Sequence, residues 1–360
     1  MFSKSKTYLI LIVLMLLTVS CGSQATQATP SVVRSASTTT PSSSEGSNKK
    51  LQTVTLALDW TPNTNHTGIY VALQKGWYRE NGVNLKILPY SETDTNQLVS
   101  QGKADFGISF EEGVVTSRAA GLDVISVAAI IQHNTSALVT LKESGINRPR
   151  MLDGKRYAGF GSPFEKPVIS EVIKCDGGKG DFKTVTTNVF GYEALKAKRA
   201  DFVWIFMGWE GIQAKREGLK LNVFYIKDYC VPDYYTPVII TSRKFLDRSH
   251  DLAKRFMEAT ARGYEYAIKH PDDSAKILIQ AAPKGTFPDP GLVVESQRWL
   301  SPRYKAEKKH WGVQDLRVWT NYPRFMYKTG NLLGPDNKPL KQEPDYKSYF
   351  TNELLPYGNS

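Results

Sequence analysis

The sequence predicts an α/β protein of two similar lobes, with a helical return to the first lobe at the C-terminal end. Strand patterns alternate with helix patterns from residue 53 to residue 206, an order that predicts two doubly wound, parallel sheets covered by helices on both faces. The tetrapeptides Lys-Ala-Asp-Phe (103–106) and Arg-Ala-Asp-Phe (199–202) each close a predicted helix and open a buried strand. This echo is what two lobes of one topology would produce. After residue 241 the pattern predicts only helices.

In the first lobe, the alternation of Val54, Leu56 and Leu58 predicts a strand over 53–58, and Gly76 ends the helix that follows it. The other predicted strands of this lobe are 84–88, 105–110 and 124–131, and helices over 95–102 and 112–120 separate them. The second lobe has predicted strands at 157–160, 185–190 and 201–206 and helices at 166–174 and 192–199. A strand over 237–241 precedes predicted helices at 250–270, 271–281, 291–300 and 314–329.

About 310 residues follow residue 50, which is more than the commonest size of a single domain. We predict that lobe I comprises 51–142 plus 239–360 and that lobe II comprises 143–238. The two chain crossings between the lobes then act as a hinge around one cleft. Ligands commonly bind between domains and at the carboxyl ends of strands in such sheets.

The N-terminal segment predicts export from the cytoplasm. Lys4 and Lys6 precede an apolar run over 9–17 that is shorter than the ~20 residues a membrane-spanning helix needs. Residues 1–20 are therefore predicted to be a secretory signal peptide. Cys21 directly follows and resembles the lipobox cysteine of bacterial lipoproteins, although Thr18 stands where that motif usually has Leu. The alternative is an ordinary signal peptide with an accidental cysteine nearby.

Residues 21–50 are predicted to form a flexible tether, since Ser, Thr, Gln, Ala and Pro dominate them. A lipid on Cys21 would then hold the folded body to a membrane. Cys175 and Cys230 remain in the body. They could pair outside the cell, and the sequence leaves this open.

The formal charge of +11 falls to +9 when Lys4 and Lys6 leave with the signal peptide. The other Lys and Arg residues are dispersed, without the basic stripe of a nucleic-acid groove, so no nucleic-acid partner is predicted. In an exported protein, the excess is better explained by an anionic membrane surface.

The loop 59–68 follows the first strand and is the first candidate binding segment. Trp60 supplies an aromatic plane, and Asn63, Asn65 and His66 supply hydrogen-bond donors and acceptors. A flat heterocycle needs this combination. The alternative is a Trp in the core and Asn side chains that make local turn bonds.

Two further strand ends carry polar candidates. After Ser109, either Glu111 or Glu112 could accept hydrogen bonds from an aminopyrimidine or an ammonium group. Alternatively, Glu112 favours the start of its helix through the helix dipole. Ser162 begins the helix after the strand at 157–160, where it binds a polar ligand edge through backbone amides or merely caps the helix.

Trp209 and Glu210 follow the end of the strand at 201–206, and Tyr235 precedes the strand that returns to lobe I. Trp209 and Glu210 are candidates to line the cleft, and Tyr235 either closes over a ligand or packs the hinge.

Catalytic and metal-binding motifs are not found. The sequence has no Gly-rich phosphate loop, HExxH, EF-hand or GxSxG pattern. Its five histidines, at 66, 133, 250, 270 and 310, lack metal-ligand spacing. We predict a protein that is not an enzyme and uses no cofactor or metal.

Several of these segments resemble a known family. They are 58–63 (Leu-Asp-Trp-Thr-Pro-Asn), 74–78 (Gln-Lys-Gly-Trp-Tyr) with Asn81-Gly82, 102–109 (Gly-Lys-Ala-Asp-Phe-Gly-Ile-Ser) and 231–235 (Val-Pro-Asp-Tyr-Tyr). They resemble solute-binding proteins of the NMT1/THI5-like group, which also includes sulfonate- and nitrate-binding relatives. The resemblance runs from about residue 52 to residue 355.

The resemblance implies a periplasmic-binding-protein type II bilobe that delivers a small heterocyclic ligand to the permease and ATPase of an ABC importer. The nearest members bind pyrimidine precursors of thiamine, and a sister branch binds riboflavin. A monomer is expected, anchored on the periplasmic side or the outer face of the cell membrane. A sensor or adhesion module on the same bilobe is a further alternative.

The family also contains enzymes that build the thiamine pyrimidine from pyridoxal phosphate and a histidine of their own chain. Those enzymes carry a lysine and then a histidine after the third strand's glycine, where this chain reads Ile-Ser-Phe-Glu-Glu-Gly (108–113). Their cysteine-rich iron-binding run is also missing, because Cys230 stands alone before Val231-Pro232. These departures favour the transport member.

Overall fold

The computed structural model describes residues 51–185 and 191–358. The predicted signal peptide, Cys21 and the tether lie outside the described residues. The strands are β1 (Gln52–Ala57), β2 (Val83–Ile87), β3 (Phe106–Ser109), β4 (Ile125–Ala129), β5 (Ser136–Leu141), β6 (Arg156–Ala158), β7 (Lys183–Thr184), β8 (Phe202–Phe206), β9 (Leu221–Tyr225) and β10 (Val238–Thr241). The α-helices are α1 (Thr67–Gln74), α2 (Trp77–Glu80), α3 (Thr95–Ser100), α4 (Glu111–Ala119), α5 (Glu165–Cys175), α6 (Gly191–Lys196), α7 (Glu210–Arg216), α8 (Arg243–Lys269), α9 (Pro271–Ala281), α10 (Pro290–Leu300) and α11 (Val318–Lys328).

The described strands form two five-stranded sheets, in the orders β2-β1-β3-β10-β4 and β7-β6-β8-β5-β9. Both sheets are mixed, whereas the sequence analysis predicted parallel sheets. β10 runs antiparallel to β3 and β4, and β5 runs antiparallel to β8 and β9. These antiparallel strands occur because each one brings the chain into a sheet from the opposite lobe. The α/β prediction with two sheets is confirmed.

Most predicted elements are present within one or two residues at either end, as in β1, α3, β3, α9 and α10. The sequence analysis missed β5 and β9. The prediction was based on parallel strands that alternate with helices. β5 and β9 do not follow that pattern, because they pair antiparallel to each other. The predicted strand at 185–190 falls largely on residues 186–190, which lie outside the described residues.

The chain passes from the first sheet to the second between β4 and β5 and returns between β9 and β10. Since β5 pairs in the second sheet, the first crossing comes before residue 136, whereas the predicted boundary was residue 142. The return into the first sheet begins at Val238, next to the predicted residue 239. The assignment of whole lobes to these sheets stays a proposal.

Cys175 and Cys230 form a disulfide with a Cα–Cα distance of 5.8 Å. It joins the C-terminal end of α5 to the segment that leads into the second crossing. The sequence left this pairing open, because 55 residues separate the two cysteines and nothing in the pattern predicts their approach.

Helix α8 packs against α1 at backbone distance. A Cβ atom on Gly263 would lie 1.9 Å from the carbonyl oxygen of Gly68, and a Cβ atom on Gly68 would lie 2.3 Å from the ring of Tyr264. Both contacts are shorter than any side chain tolerates. Glycine is therefore required at both positions by the close approach of the two helices.

We expect Gly263→Ala to destabilise the protein by about 2–3 kcal/mol, because the added methyl group must push α8 away from α1. Urea unfolding measures this change. Gly211→Ala is the matched control: it is also a helical glycine, but its Cβ would meet mainly the flexible side chain of Met207. A loss of stability that is equal in both variants would contradict the proposed backbone contact.

Candidate functional site

The loop after β1 is folded by its own polar side chains. Asn63 caps the short turn Thr64–His66 by accepting a hydrogen bond from the Asn65 amide at 2.9 Å, and it donates to the Thr61 carbonyl at 3.1 Å. The ring of His66 accepts from the Asn63 amide at 3.2 Å through Nδ1, so Nε2 carries the proton and donates to Asp59 at 2.8 Å. These are local turn bonds, the alternative that the sequence analysis left open for the Asn side chains.

Aromatic residues from the C-terminal helices hold the same loop from behind. The Tyr264 hydroxyl donates to the Asn65 carbonyl at 2.6 Å, and the Tyr304 hydroxyl donates to the Thr64 carbonyl. Tyr264 stacks on Trp311, with ring centroids 4.1 Å apart. The loop is therefore held by hydrogen bonds on both sides, and Trp60 and Asn65 are its half-buried residues with an aromatic ring and a side-chain amide.

The end of β3 faces the second crossing. Ser109 is buried and donates to Asn96 at 3.0 Å. Glu111 exchanges two hydrogen bonds with Tyr235: its amide donates to the Tyr235 carbonyl at 2.9 Å, and its carboxyl accepts from the Tyr235 amide at 2.8 Å. The Tyr235 hydroxyl in turn accepts from the Asp315 amide at 2.8 Å. Glu111 and Tyr235 thus join the first sheet to the hinge.

Glu112 is buried beside the hinge tyrosines. Burial raises the pKa of Glu112 to about 8 and the pKa of Glu111 well above its usual range. Tyr234 lies near the Glu112 carboxyl, and its ring centroid is 4.4 Å from that of Tyr322. The helix dipole at the start of α4 favours the ionised carboxyl and so lowers its pKa, but burial raises the pKa by more. Glu112 is therefore largely protonated at neutral pH, where it has a hydrogen atom to donate.

The second sheet presents two strand ends at the corresponding edge. Ser162 contributes its amide to the buried carboxyl of Glu165, which also accepts from the Phe160 amide at 3.0 Å and the Tyr157 hydroxyl at 2.6 Å. At the end of β8, Glu210 accepts from the Phe206 amide at 3.1 Å, and burial raises the pKa of Glu210 to about 7. Glutamate side chains of the protein itself therefore accept hydrogen bonds from backbone amides at these strand ends. One of them is the Ser162 amide, at the helix start that the sequence analysis considered for ligand binding.

Two contacts bring the strand ends of the two sheets together. Phe110 and Phe164 meet edge to face at 5.5 Å. Elsewhere, Thr64 hydrogen-bonds to Ser296 of α10 at 2.6 Å, and the Ser296 hydroxyl donates to the Gly208 carbonyl. Trp209 packs beside Phe287, with ring centroids 6.2 Å apart. The loop after β1 and the end of β8 are thus linked through one buried hydroxyl.

The aromatic residues Phe110, Phe160, Phe164 and Phe206 at these edges were missed by the sequence analysis. Their positions in the sequence could have indicated them, because each lies at the end of a predicted strand or in the turn that follows it. The sequence analysis selected mainly polar side chains, and many of those side chains form the hydrogen bonds that fold the loops.

A clamp at the hinge joins both crossings to the C-terminal segment. His133, in the first crossing, contacts Asp233 in the second crossing at 2.5 Å and Glu307 at 2.9 Å. Asp233 also accepts from the Asn134 amide at 2.9 Å. The hydrogen bond to Asp233, reinforced by Glu307, raises the pKa of His133 to about 9. A cavity of about 290 Å³ lies beside this clamp, and His133 and Tyr235 are among its lining residues.

The described residues contain no group of three or more His, Cys, Asp or Glu side chains placed to hold a metal ion. Nor does any helix in that part of the chain combine the length and apolar character that crossing a bilayer requires.

The two mixed sheets and the helices that cover them define the fold class of the protein, which is the periplasmic-binding-protein type II fold. The periplasmic aliphatic sulphonate-binding protein SsuA from Escherichia coli has this fold, with a TM-score of 0.59 at 14% identity, over 84% of this chain and 98% of that chain. The NMT1/THI5-like family model matches residues 63–274, and the chain belongs to this family.

Three relatives show the range of the family. A formylaminopyrimidine-binding protein from Halalkalibacterium halodurans is 29% identical over 75% of this chain and 83% of its own length. The riboflavin-binding protein RibY from Chloroflexus aurantiacus is 24% identical over 92% and 93%. A 4-amino-5-hydroxymethyl-2-methylpyrimidine phosphate synthase from Legionella pneumophila is 29% identical over 64% and 74%. Binding proteins and synthases thus occur at similar identity.

Replacing Glu112 with Gln tests the protonation of the buried acids. A folded-state pKa of about 8 means that the folded protein binds the proton more tightly than the unfolded chain, so wild-type stability falls as the pH rises from about 4.5 to 8. The neutral amide removes this loss. We expect Glu112→Gln to gain about 4 kcal/mol relative to wild type between pH 5 and pH 8.5, measured by urea unfolding. Glu92→Gln, at an exposed position, is the control, and a pH-independent effect of Glu112→Gln would refute the assignment.

The hinge clamp predicts the pH dependence of a second variant. The raised pKa of His133 means that the clamp stabilises the fold fully below about pH 6.5 and loses its contribution as the pH rises through 9. His133 is 48% exposed, so we expect His133→Gln to cost about 1 kcal/mol at pH 6 and little at pH 10. His250→Gln, at a 46% exposed histidine 3.9 Å from Glu353, should change stability little at either pH. Equal losses for His133→Gln at both pH values would contradict the clamp.

Proposed function

We propose that this protein is the solute-binding component of an ABC importer and captures a flat heterocyclic vitamin precursor in the cleft between its lobes. The favoured ligand is a pyrimidine precursor of thiamine, such as formylaminopyrimidine or hydroxymethylpyrimidine. The observation that carries the proposal is the similarity to a formylaminopyrimidine-binding protein over three quarters of the chain. The permease and ATPase of the importer are the proposed partners, and the protein is proposed to act as a monomer.

The chemistry at the facing strand ends supports this ligand class. Trp60 and Trp209 offer ring faces on which a heterocycle stacks, and the Asn65 side chain offers both a donor and an acceptor at the ring edge. Glu112, whose pKa is raised to about 8, would donate a hydrogen bond to the ligand, and Glu111 and Glu210 are further candidates for a polar contact. Asn63, His66, Ser109, Ser162 and Tyr235 are proposed to shape the site through the contacts described above.

Transport requires that the ligand favours the closed arrangement of the lobes, because a ligand shifts an equilibrium only by its differential affinity for the two states. The proposed path is entry between the lobes, burial on closure and docking of the closed form on the permease. We also propose that the protein acts outside the cytoplasm and is held to the cell membrane by a lipid on Cys21.

Riboflavin is the second candidate ligand, since the relative that binds it aligns with 92% of this chain. Synthesis of the pyrimidine is a less favoured alternative, even though one synthase is as similar in identity as the binding protein. The segment 108–113 lacks the lysine and histidine that the resemblance requires of a synthase. Incubation with pyridoxal phosphate and iron should therefore yield no pyrimidine product.

The proposal is tested by thermal shift of the purified full chain with formylaminopyrimidine, hydroxymethylpyrimidine, thiamine, riboflavin, nitrate and an alkyl sulfonate. A ligand that binds only the folded state raises the melting temperature in proportion to the logarithm of its concentration. We expect a shift with an aminopyrimidine and a smaller shift, or none, with nitrate or sulfonate. A shift with sulfonate alone would overturn the heterocycle, and no shift with any compound would favour a sensor or adhesion role.

Trp60→Ala tests the stacking contact. We expect the Kd for the preferred heterocycle to rise about tenfold, in line with the usual contribution of aromatic stacking on a flat base, without a comparable loss of melting temperature. Titration calorimetry measures the affinity. An unchanged Kd would remove Trp60 from the site.

A further inference from the structure

Phe160 is the most exposed large hydrophobic residue in the described part of the chain, with 57% of its surface accessible. It lies two residues after the end of β6, at the edge of the second sheet that carries Ser162 and Glu210. Covering such a ring with an apolar surface is favourable in proportion to the area removed from water.

The exposed ring is held in place by a buried acid. Glu165 is 5% exposed, and its carboxyl accepts from the amides of Phe160 and Ser162 and from the Tyr157 hydroxyl. Gly159 allows this approach, because a Cβ atom there would lie 1.9 Å from the Glu165 carboxyl. The backbone that carries Phe160 is therefore already ordered, and little further entropy is lost when a ligand covers the ring.

A second ring lies beside the first. Phe206 ends β8, the parallel neighbour of β6, and its ring is 6.4 Å from that of Phe160 at an interplanar angle of 29°. The two rings form a surface that we call the phenylalanine platform. Along the chain, Phe160 lies four residues before Phe164 and Phe206 lies two residues before Gly208, the two points where the strand ends of the sheets are linked.

We propose that the phenylalanine platform, Phe160 with Phe206, is the stacking surface of the second lobe for the ring of a planar heterocyclic ligand. We further propose that Phe160 selects planar ligands over compact anions such as sulfonates. This inference rests on the proposed function and extends it to residues that make no hydrogen bond with the ligand. A hydrocarbon ring offers no donor or acceptor, so it discriminates by shape and leaves the polar edge of the ligand to other groups.

The test is titration calorimetry of the full chain with formylaminopyrimidine and with riboflavin as probes. Phe160→Leu keeps an apolar side chain of moderate size but removes the ring plane, and we expect its Kd to rise about tenfold or more. Phe160→Tyr keeps the plane and should bind within about threefold of wild type. Met151→Ala, at another exposed hydrophobic residue that is 39% accessible, should leave the Kd unchanged. Melting temperatures without ligand check that each variant is folded.

The outcomes separate this inference from the proposed function. If wild type binds a heterocycle and Phe160→Leu binds it equally well, the platform is refuted while the transport proposal stands. If Phe160→Tyr loses as much affinity as Phe160→Leu, the ring plane is not the determinant and the inference also fails. If wild type binds an alkyl sulfonate but neither heterocycle, the proposed ligand class fails and the platform fails with it.

Discussion

The close approach of α1 and α8 at Gly68 and Gly263 is the constraint on which the rest of the candidate site depends. This approach positions the Tyr264 side chain for two contacts. Its hydroxyl donates a hydrogen bond to the Asn65 carbonyl, and its ring stacks on Trp311. Trp311 in turn donates to the Ile130 carbonyl at 3.1 Å, where the first crossing begins. The loop after β1 and the start of the hinge thus share one support. A helix displaced by even one methyl group would move both.

The ionisable side chains of the hinge behave differently according to how much each one is exposed to water. Where the crossings are accessible to water, His133, Asp233 and Glu307 form an ionised cluster. Where the same crossings are covered, burial raises the pKa of Glu111 and Glu112, because a carboxylate without water costs more than its neutral form. One segment, 233–235, carries both arrangements, since Asp233 faces the clamp and the Tyr235 backbone pairs with Glu111. The protonation state of the hinge is therefore part of its fold.

The sequence predicted the α/β class, most element bounds and the loops that end β1, β3, β6 and β8, because these features follow from short-range periodicity and from Gly or polar residues at strand ends. It could not predict β5 or β9, whose partners lie in antiparallel register far along the chain. The disulfide between Cys175 and Cys230 was equally inaccessible, since it depends on how α5 packs. For the site, residue type indicated the chemistry, but the partner of each side chain is a tertiary property. Glu165 illustrates this point: the spacing Ser-x-x-Glu over 162–165 is a capping-box pattern that indicates its contact with the Ser162 amide, but no local pattern indicates its contact with the Tyr157 hydroxyl.

The strand ends therefore divide their residues between two tasks. Asn63, His66 and Glu165 satisfy the backbone donors of tight loops, which would otherwise be buried without partners. Once those donors are satisfied internally, a ligand at the same edges has fewer amides to bind, and aromatic faces contribute a larger share of the available contact. This balance suits a planar ligand whose rings supply the area and whose few polar atoms supply the orientation. A sulfonate or a nitrate ion requires the opposite balance, because its charge must be met by several converging donors. The loops that satisfy their own amides with the protein's side chains thus support the proposal of a heterocycle over a small anion.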